Sequence, residues 1–140
     1  MRVLIGGAHN GKRKYVNEIL LDRIDGNPHF FEGEIPEKSL FSNEDIIIIG
    51  NFEEIIKQSI HLDEEVIAND IFNKLMELEN HAQQVICICT DITRGVVPIL
   101  KEERKLRDTC GRLYQRLFSE CDQIVRIWYG IPQVLKGEGL

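Results

Sequence analysis

The chain has 140 residues, 43% hydrophobic and 29% charged, which suits one ordinary soluble core and leaves too little for a second, so a single domain over residues 1–140 is expected. Its 23 acidic residues against 17 basic ones give a formal charge of −6, which argues against nucleic acid as a partner. The N-terminus lacks the basic, apolar and small-residue order of a signal peptide, and no apolar stretch approaches ~18 residues, so no membrane span and a cytoplasmic location are expected.

In chain order, an apolar run from Arg2 to Ile5 reads as a strand and leads into Gly6-Gly7-Ala8-His9-Asn10-Gly11-Lys12. A strand followed by Gly-x-x-x-x-Gly-Lys and then a helical pattern is what backbone N–H groups need to wrap a phosphate while a lysine reaches its outer oxygens. Gly6, Gly7 and Gly11 permit the positive φ angles and close approach that converge donors on an anion. The candidate nucleotide-binding residues are therefore Gly6, Gly7, Ala8, His9, Asn10, Gly11, Lys12 and Arg13, and the ligand is a nucleoside triphosphate, ATP or GTP. Arg13 stands where the motif carries a Ser or Thr whose hydroxyl ligates Mg²⁺. A cation cannot ligate Mg²⁺, so any metal must be held by phosphate oxygens, water and a carboxylate elsewhere. Arg13 and Lys14 either help hold phosphate without metal or form an exposed first helical turn.

Tyr15, Ile19, Leu20 and Leu21 mark the helix opened by the loop, which is expected to end near Asp25-Gly26-Asn27-Pro28. From His29 to Asn43 the pattern is irregular, and Phe30 to Glu34 reads either as a short strand or as a surface loop. Asp45 to Ile49 is a second strand ending in Gly50-Asn51, where no acid stands, and Glu53 and Glu54 follow on a helix as solvated residues. Val66, Ile67, Ile71, Leu75 and Leu78 trace the apolar stripe of a helix beginning near Asp63. Gln84 to Cys89 is a third strand, with Cys87 and Cys89 on one face. At its carboxyl end stands Asp91, where an α/β sheet places ligand-binding groups; it is the best candidate for a metal or water-positioning carboxylate, against a turn or capping role. Leu106, Cys110, Leu113 and Leu117 mark a last helix, and Gln123 to Trp128 a fourth strand, with Trp128 and Tyr129 as core or interface aromatics. Near-continuous Val, Ile and Cys runs suit parallel strands covered on both faces. The fold class expected is α/β, a doubly wound, mostly parallel sheet of the P-loop NTPase type. His29, His61 and His81 read as surface residues, and the four cysteines as buried reduced thiols rather than metal ligands.

Longer blocks lie in the second half: Thr90-Asp91-Ile92-Thr93-Arg94-Gly95-Val96-Val97-Pro98, then Arg107-Asp108-Thr109-Cys110-Gly111-Arg112-Leu113-Tyr114-Gln115, and finally Gly130-Ile131-Pro132-Gln133-Val134-Leu135-Lys136. Together with the glycine loop they resemble the adenosylcobinamide kinase / adenosylcobinamide-phosphate guanylyltransferase family of cobalamin biosynthesis. That family's pattern runs Gly-Gly-Ala-x-Ser-Gly-Lys-Ser, Asn-Glu-x-Gly-x-Gly-x-Val-Pro, Arg-Asp-x-x-Gly-x-x-Asn-Gln and Gly-x-Pro-x-x-x-Lys. In this chain Asn10 and Arg13 replace the two loop serines, Thr90-Asp91 the Asn-Glu pair, and Tyr114-Gln115 the Asn-Gln pair. The middle is shorter, and no segment aligns with the helix carrying the histidine that takes up GMP covalently. The resemblance implies a nucleotide-dependent kinase with Lys12 and Asp91 as catalytic residues, a corrinoid substrate and a homotrimer. Arg107 and Asp108 then belong to a structural ion pair, a subunit contact or a ligand site. The alternative is a catalytically degenerate nucleotide-binding or regulatory protein that retains the fold.

Overall fold

The computed structural model describes residues 1–7, 11–91 and 100–138. Six strands form one sheet in the order β2-β3-β4-β1-β5-β6. These are β1 (Arg2–Gly6), β2 (Asn27–Glu32), β3 (Asp45–Gly50), β4 (Gln84–Thr90), β5 (Gln123–Trp128) and β6 (Ile131–Lys136). All neighbours pair in parallel except β5 and β6. The mixed α/β class with a mostly parallel sheet is thus as the sequence predicts.

Helices cover both faces because the central strands are apolar on both. On one face Val3, Ile47, Ile49, Val85, Cys87 and Cys89 pack against α2 (Phe52–Lys57), α3 (Glu64–His81) and α4 (Lys101–Glu120). On the other, Leu4, Ile46, Ile48, Ile86 and Ile88 pack against Tyr15, Val16 and Leu20. Those three lie on a continuous helical stretch that begins as α1 (Lys12–Tyr15), widens over Val16–Leu20 and tightens over Leu21–Arg23. The stripe of α3 is buried at Ile67, Ile71, Leu75 and Leu78, each side chain worth about 1.5–3 kcal/mol on burial. Val66, which the periodicity assigns to the same stripe, is instead exposed. Asp63 caps this helix by accepting a hydrogen bond from the Glu65 amide at 3.0 Å.

Two elements differ from the sequence reading. Asn27-Pro28, read as the turn ending a helix, opens strand β2, and the helical stretch stops at Arg23. Strand β2 lies at the sheet edge, where a proline without an N–H is tolerated. Ile131–Lys136 is the antiparallel edge strand β6, joined to β5 through Tyr129 and Gly130, whose φ angles of 49° and 78° make a two-residue hairpin turn. Trp128 and Tyr129 are therefore not core aromatics, being 55% and 78% exposed.

Candidate functional site

The topology itself creates a crevice. From β1 the chain turns onto one face of the sheet and crosses to β2; after β4 it passes to α4 on the opposite face and then to β5. Strands β1 and β4 are neighbours in register, Gly6 opposite Thr90. Connections that leave adjacent parallel strands in opposite directions open a gap beyond their carboxyl ends, which is where ligands bind in sheets of this kind. Lys12 follows the first strand and Asp91 the second.

Both converge on one carbonyl. The Asp91 amide donates to Gly6 O at 2.8 Å, and Lys12 Nζ donates to the same oxygen at 3.1 Å and to Gly7 O at 2.7 Å. Lys12 is only 4% exposed, and among the described residues no carboxylate pairs with its ammonium. Burial, and secondarily the neighbouring Arg13 charge, lowers its pKa from the ordinary lysine value. A buried cation whose partners among the described residues are carbonyl dipoles is a charge that an anion would complete. Gly11 precedes it with φ 90°, and a Cβ there would meet Gly130 Cα at 3.3 Å, so the loop's exit is shaped against the β5–β6 turn.

Asp91, Gly6 and Gly7 line a cleft of about 210 Å³ whose far wall includes Arg126 and Trp128. The Arg126 guanidinium lies 5.4 Å from the Trp128 ring centre. Behind Asp91 the end of β4 is pinned by Tyr114, whose hydroxyl donates to Thr90 O at 3.0 Å while its ring lies 6.2 Å from that of Phe118. Tyr114, noted in the sequence only as a departure from the family pattern, is thus a support for the candidate carboxylate.

Arg13 is not free in solvent, because it pairs with Glu32. Its Nε and Nη2 donate to Glu32 Oε1 and Oε2, each at 2.6 Å, in a side-on pair. Glu32 pairs in register with Gly50 at the end of β3. A Cβ on Gly50 would lie 2.9 Å from Arg13 Nη2 and 3.1 Å from Glu32 Oε2. The residues that would hold Mg²⁺ on such a loop therefore do not fit the ion: a guanidinium replaces the hydroxyl, and the strand end beside it carries no side chain.

The candidate nucleotide-binding residues Ala8, His9 and Asn10, and the motif from Ile92 to Pro98, lie outside the described residues. On α2, where the sequence suggests two solvated acids, Glu54 is exposed but Glu53 is half-buried. His61 and His81 are exposed, whereas His29 is half-buried and its Nε2 lies 2.9 Å from Asp45 Oδ1. Arg107 pairs with its neighbour Asp108 at 3.2 Å on exposed α4 surface. The four cysteines are buried, and burial pushes the Cys110 thiol up to about 12.

The family model described as cobinamide kinase / cobinamide phosphate guanyltransferase matches residues 31–135, which is 105 of the 140 residues. The match runs through the middle of the chain, which motif comparison leaves unaligned, and begins beyond the glycine loop. No curated protein matches the chain.

Proposed function

The chain belongs to the cobinamide kinase / cobinamide phosphate guanyltransferase family, and from that premise we propose that it binds ATP or GTP at the Gly6–Arg13 loop and transfers the terminal phosphoryl group to a cobinamide hydroxyl. Family membership implies the cobinamide kinase and guanyltransferase role in cobalamin biosynthesis. The finer reading rests on one observation above all, the buried Lys12 ammonium that lies at the β1–β4 crevice on loop carbonyls with no carboxylate beside it among the described residues.

In this reading the architecture is of the P-loop NTPase type and forms a single domain. Lys12 and loop amides hold the outer phosphates and neutralise charge that develops on the transferring group. Asp91, across the crevice, accepts the proton of the corrinoid hydroxyl or orients it for in-line attack. The cleft wall of Arg126 and Trp128 offers a cation and an aromatic face to the rest of the bound molecule. A homotrimer, implied by the family resemblance, belongs to the same proposal. Among the described residues no helix is long and apolar enough to cross a membrane.

A second reading is favoured by the Arg13–Glu32 pair: a nucleotide-binding protein that keeps the fold without turnover. Incubation of the protein with γ-labelled ATP or GTP and cobinamide separates the two. Labelled cobinamide phosphate, lost in Asp91→Asn and Lys12→Ala, supports the kinase. Nucleotide binding without labelled product would overturn it in favour of the second reading.

A further inference from the structure

Three residues from three elements meet at one point beside the loop: Arg13 from α1, Glu32 from the end of β2 and Gly50 from the end of β3. The Arg13–Glu32 contact is a two-bond fork with both distances at 2.6 Å. Its carboxylate oxygens would lie 3.1 Å and 3.2 Å from a Cβ on Gly50, and the guanidinium nitrogen 2.9 Å from it. The carboxylate of Glu32 thus occupies the space into which an acid at the end of β3 would project, and the guanidinium occupies the space between that carboxylate and the first turn after the loop. Any side chain at position 50 would push the pair apart. A surface ion pair of this exposure, 50% for Arg13 and 47% for Glu32, contributes little to stability, so stability alone gives no reason for a neighbouring backbone position cleared of its side chain.

We propose that the Arg13–Glu32 pair, seated on Gly50, is a built-in replacement for the hydroxyl–Mg²⁺–carboxylate unit of a phosphate loop, so that this site takes the metal-free nucleoside triphosphate. The proposal rests on the reading of the loop as a nucleotide site. Glu32 uses Arg13 Nε and one hydrogen of Nη2, which leaves the Nη1 donors of the guanidinium for a phosphate oxygen. Glu32 is a positioning residue: it fixes the plane and place of the cation, and it also cancels its net charge. Binding then draws on directed hydrogen bonds and on Lys12 more than on added positive charge.

The arrangement makes a reciprocal prediction. Arg13→Ser removes the cation, returns the hydroxyl of the motif and releases the Glu32 carboxylate from its pair, so a Mg²⁺ site should appear; Arg13→Ser/Glu32→Gln restores the hydroxyl without the carboxylate, and the site should disappear. The test is calorimetric titration of the wild type and both variants with ATP and with GTP, in EDTA and in excess Mg²⁺, with thermal melting of each to show that it folds. The expected ratio of affinity with Mg²⁺ to affinity without is below about twofold for the wild type, at least about tenfold for Arg13→Ser, and again below about threefold for the double variant. A wild type that needs Mg²⁺ by tenfold or more overturns the proposal, as does an unchanged ratio in Arg13→Ser or an equal ratio in the single and double variants. Equal losses of melting temperature with no change in the Mg²⁺ response would assign the pair a structural role and also overturn it. Absence of binding by the wild type in all four conditions has a different signature, because it removes the nucleotide reading of the loop itself and this proposal with it.

Discussion

Tyr114 offers a test of how the crevice is supported, because its hydroxyl and its ring can be removed separately. The hydroxyl donates to Thr90 O at 3.0 Å, one residue before Asp91, and the side chain is 6% exposed. Tyr114→Phe deletes this bond and leaves the ring in place. The net value of one such bond is about 0.5–1.5 kcal/mol, with the upper part of the range expected because the Thr90 carbonyl is left without that donor. For a chain of this size that corresponds to a fall in melting temperature of about 3–5 °C. Tyr114→Ala also removes the buried ring, which stacks 6.2 Å from Phe118, and should cost about 3–5 kcal/mol as aromatic-to-alanine changes in cores do. Urea denaturation followed by circular dichroism measures both. A Tyr114→Phe variant as stable as the wild type would refute the tether, and a Tyr114→Ala cost as small as that of Tyr114→Phe would refute the packing role of the ring.

Two further predictions concern groups away from the crevice. Asp45 accepts from the Ser42 amide at 2.8 Å and lies 2.9 Å from His29 Nε2; the amide first, and then the histidine, hold its carboxyl below the ordinary value of 3.8. A carboxylate with a lowered folded pKa stabilises fully above the unfolded value and loses that contribution as pH falls through the folded one, so Asp45→Asn should be less stable than wild type near neutrality, with the gap closing below about pH 3.8. A gap that stays constant down the acid limb of a urea-denaturation series would contradict this. The Tyr15 hydroxyl is buried with no hydrogen-bond partner among the described residues, so Tyr15→Phe should be neutral or stabilising by about 1 kcal/mol; a clear loss in the same denaturation assay would show that the hydroxyl is satisfied.

The central strands are legible in the sequence because burial on both faces leaves an unbroken apolar run, as in Ile46–Ile49 and Val85–Cys89. The helices α3 and α4 are legible from their periodicity, and Asp63 from its capping chemistry. The two edge strands are not. Strand β2 alternates between exposed and half-buried positions and opens with Asn27-Pro28, a local turn signal that pairing with β3 overrides. Strand β6 follows a hairpin turn whose first residue is Tyr129, in a left-handed conformation usually left to Asn, Asp or Gly, so the turn carries half of its usual signature. At the site, Lys12 and Asp91 are legible because one follows a recognisable loop and the other ends a recognisable strand. Glu32 is not, since its relation to Arg13 depends on the parallel register of β2 against β3, which no local pattern encodes. The bare strand end at Gly50 is visible in the sequence, but what fills the space above it is not.

The most direct test of the account is whether Lys12 holds a nucleotide phosphate. Calorimetric titration of the wild type and Lys12→Ala with ATP and GTP provides it, and Trp128, the one tryptophan of the chain and part of the wall of the cleft beside Gly6 and Gly7, gives an independent fluorescence signal for occupation of the crevice. Saturable binding by the wild type is expected, with affinity lowered in Lys12→Ala by at least about 1.5 kcal/mol, or roughly tenfold, the scale of a hydrogen bond to a charged group. An unchanged dissociation constant in Lys12→Ala would contradict the phosphate role of the lysine, and no binding by the wild type would contradict the nucleotide site altogether.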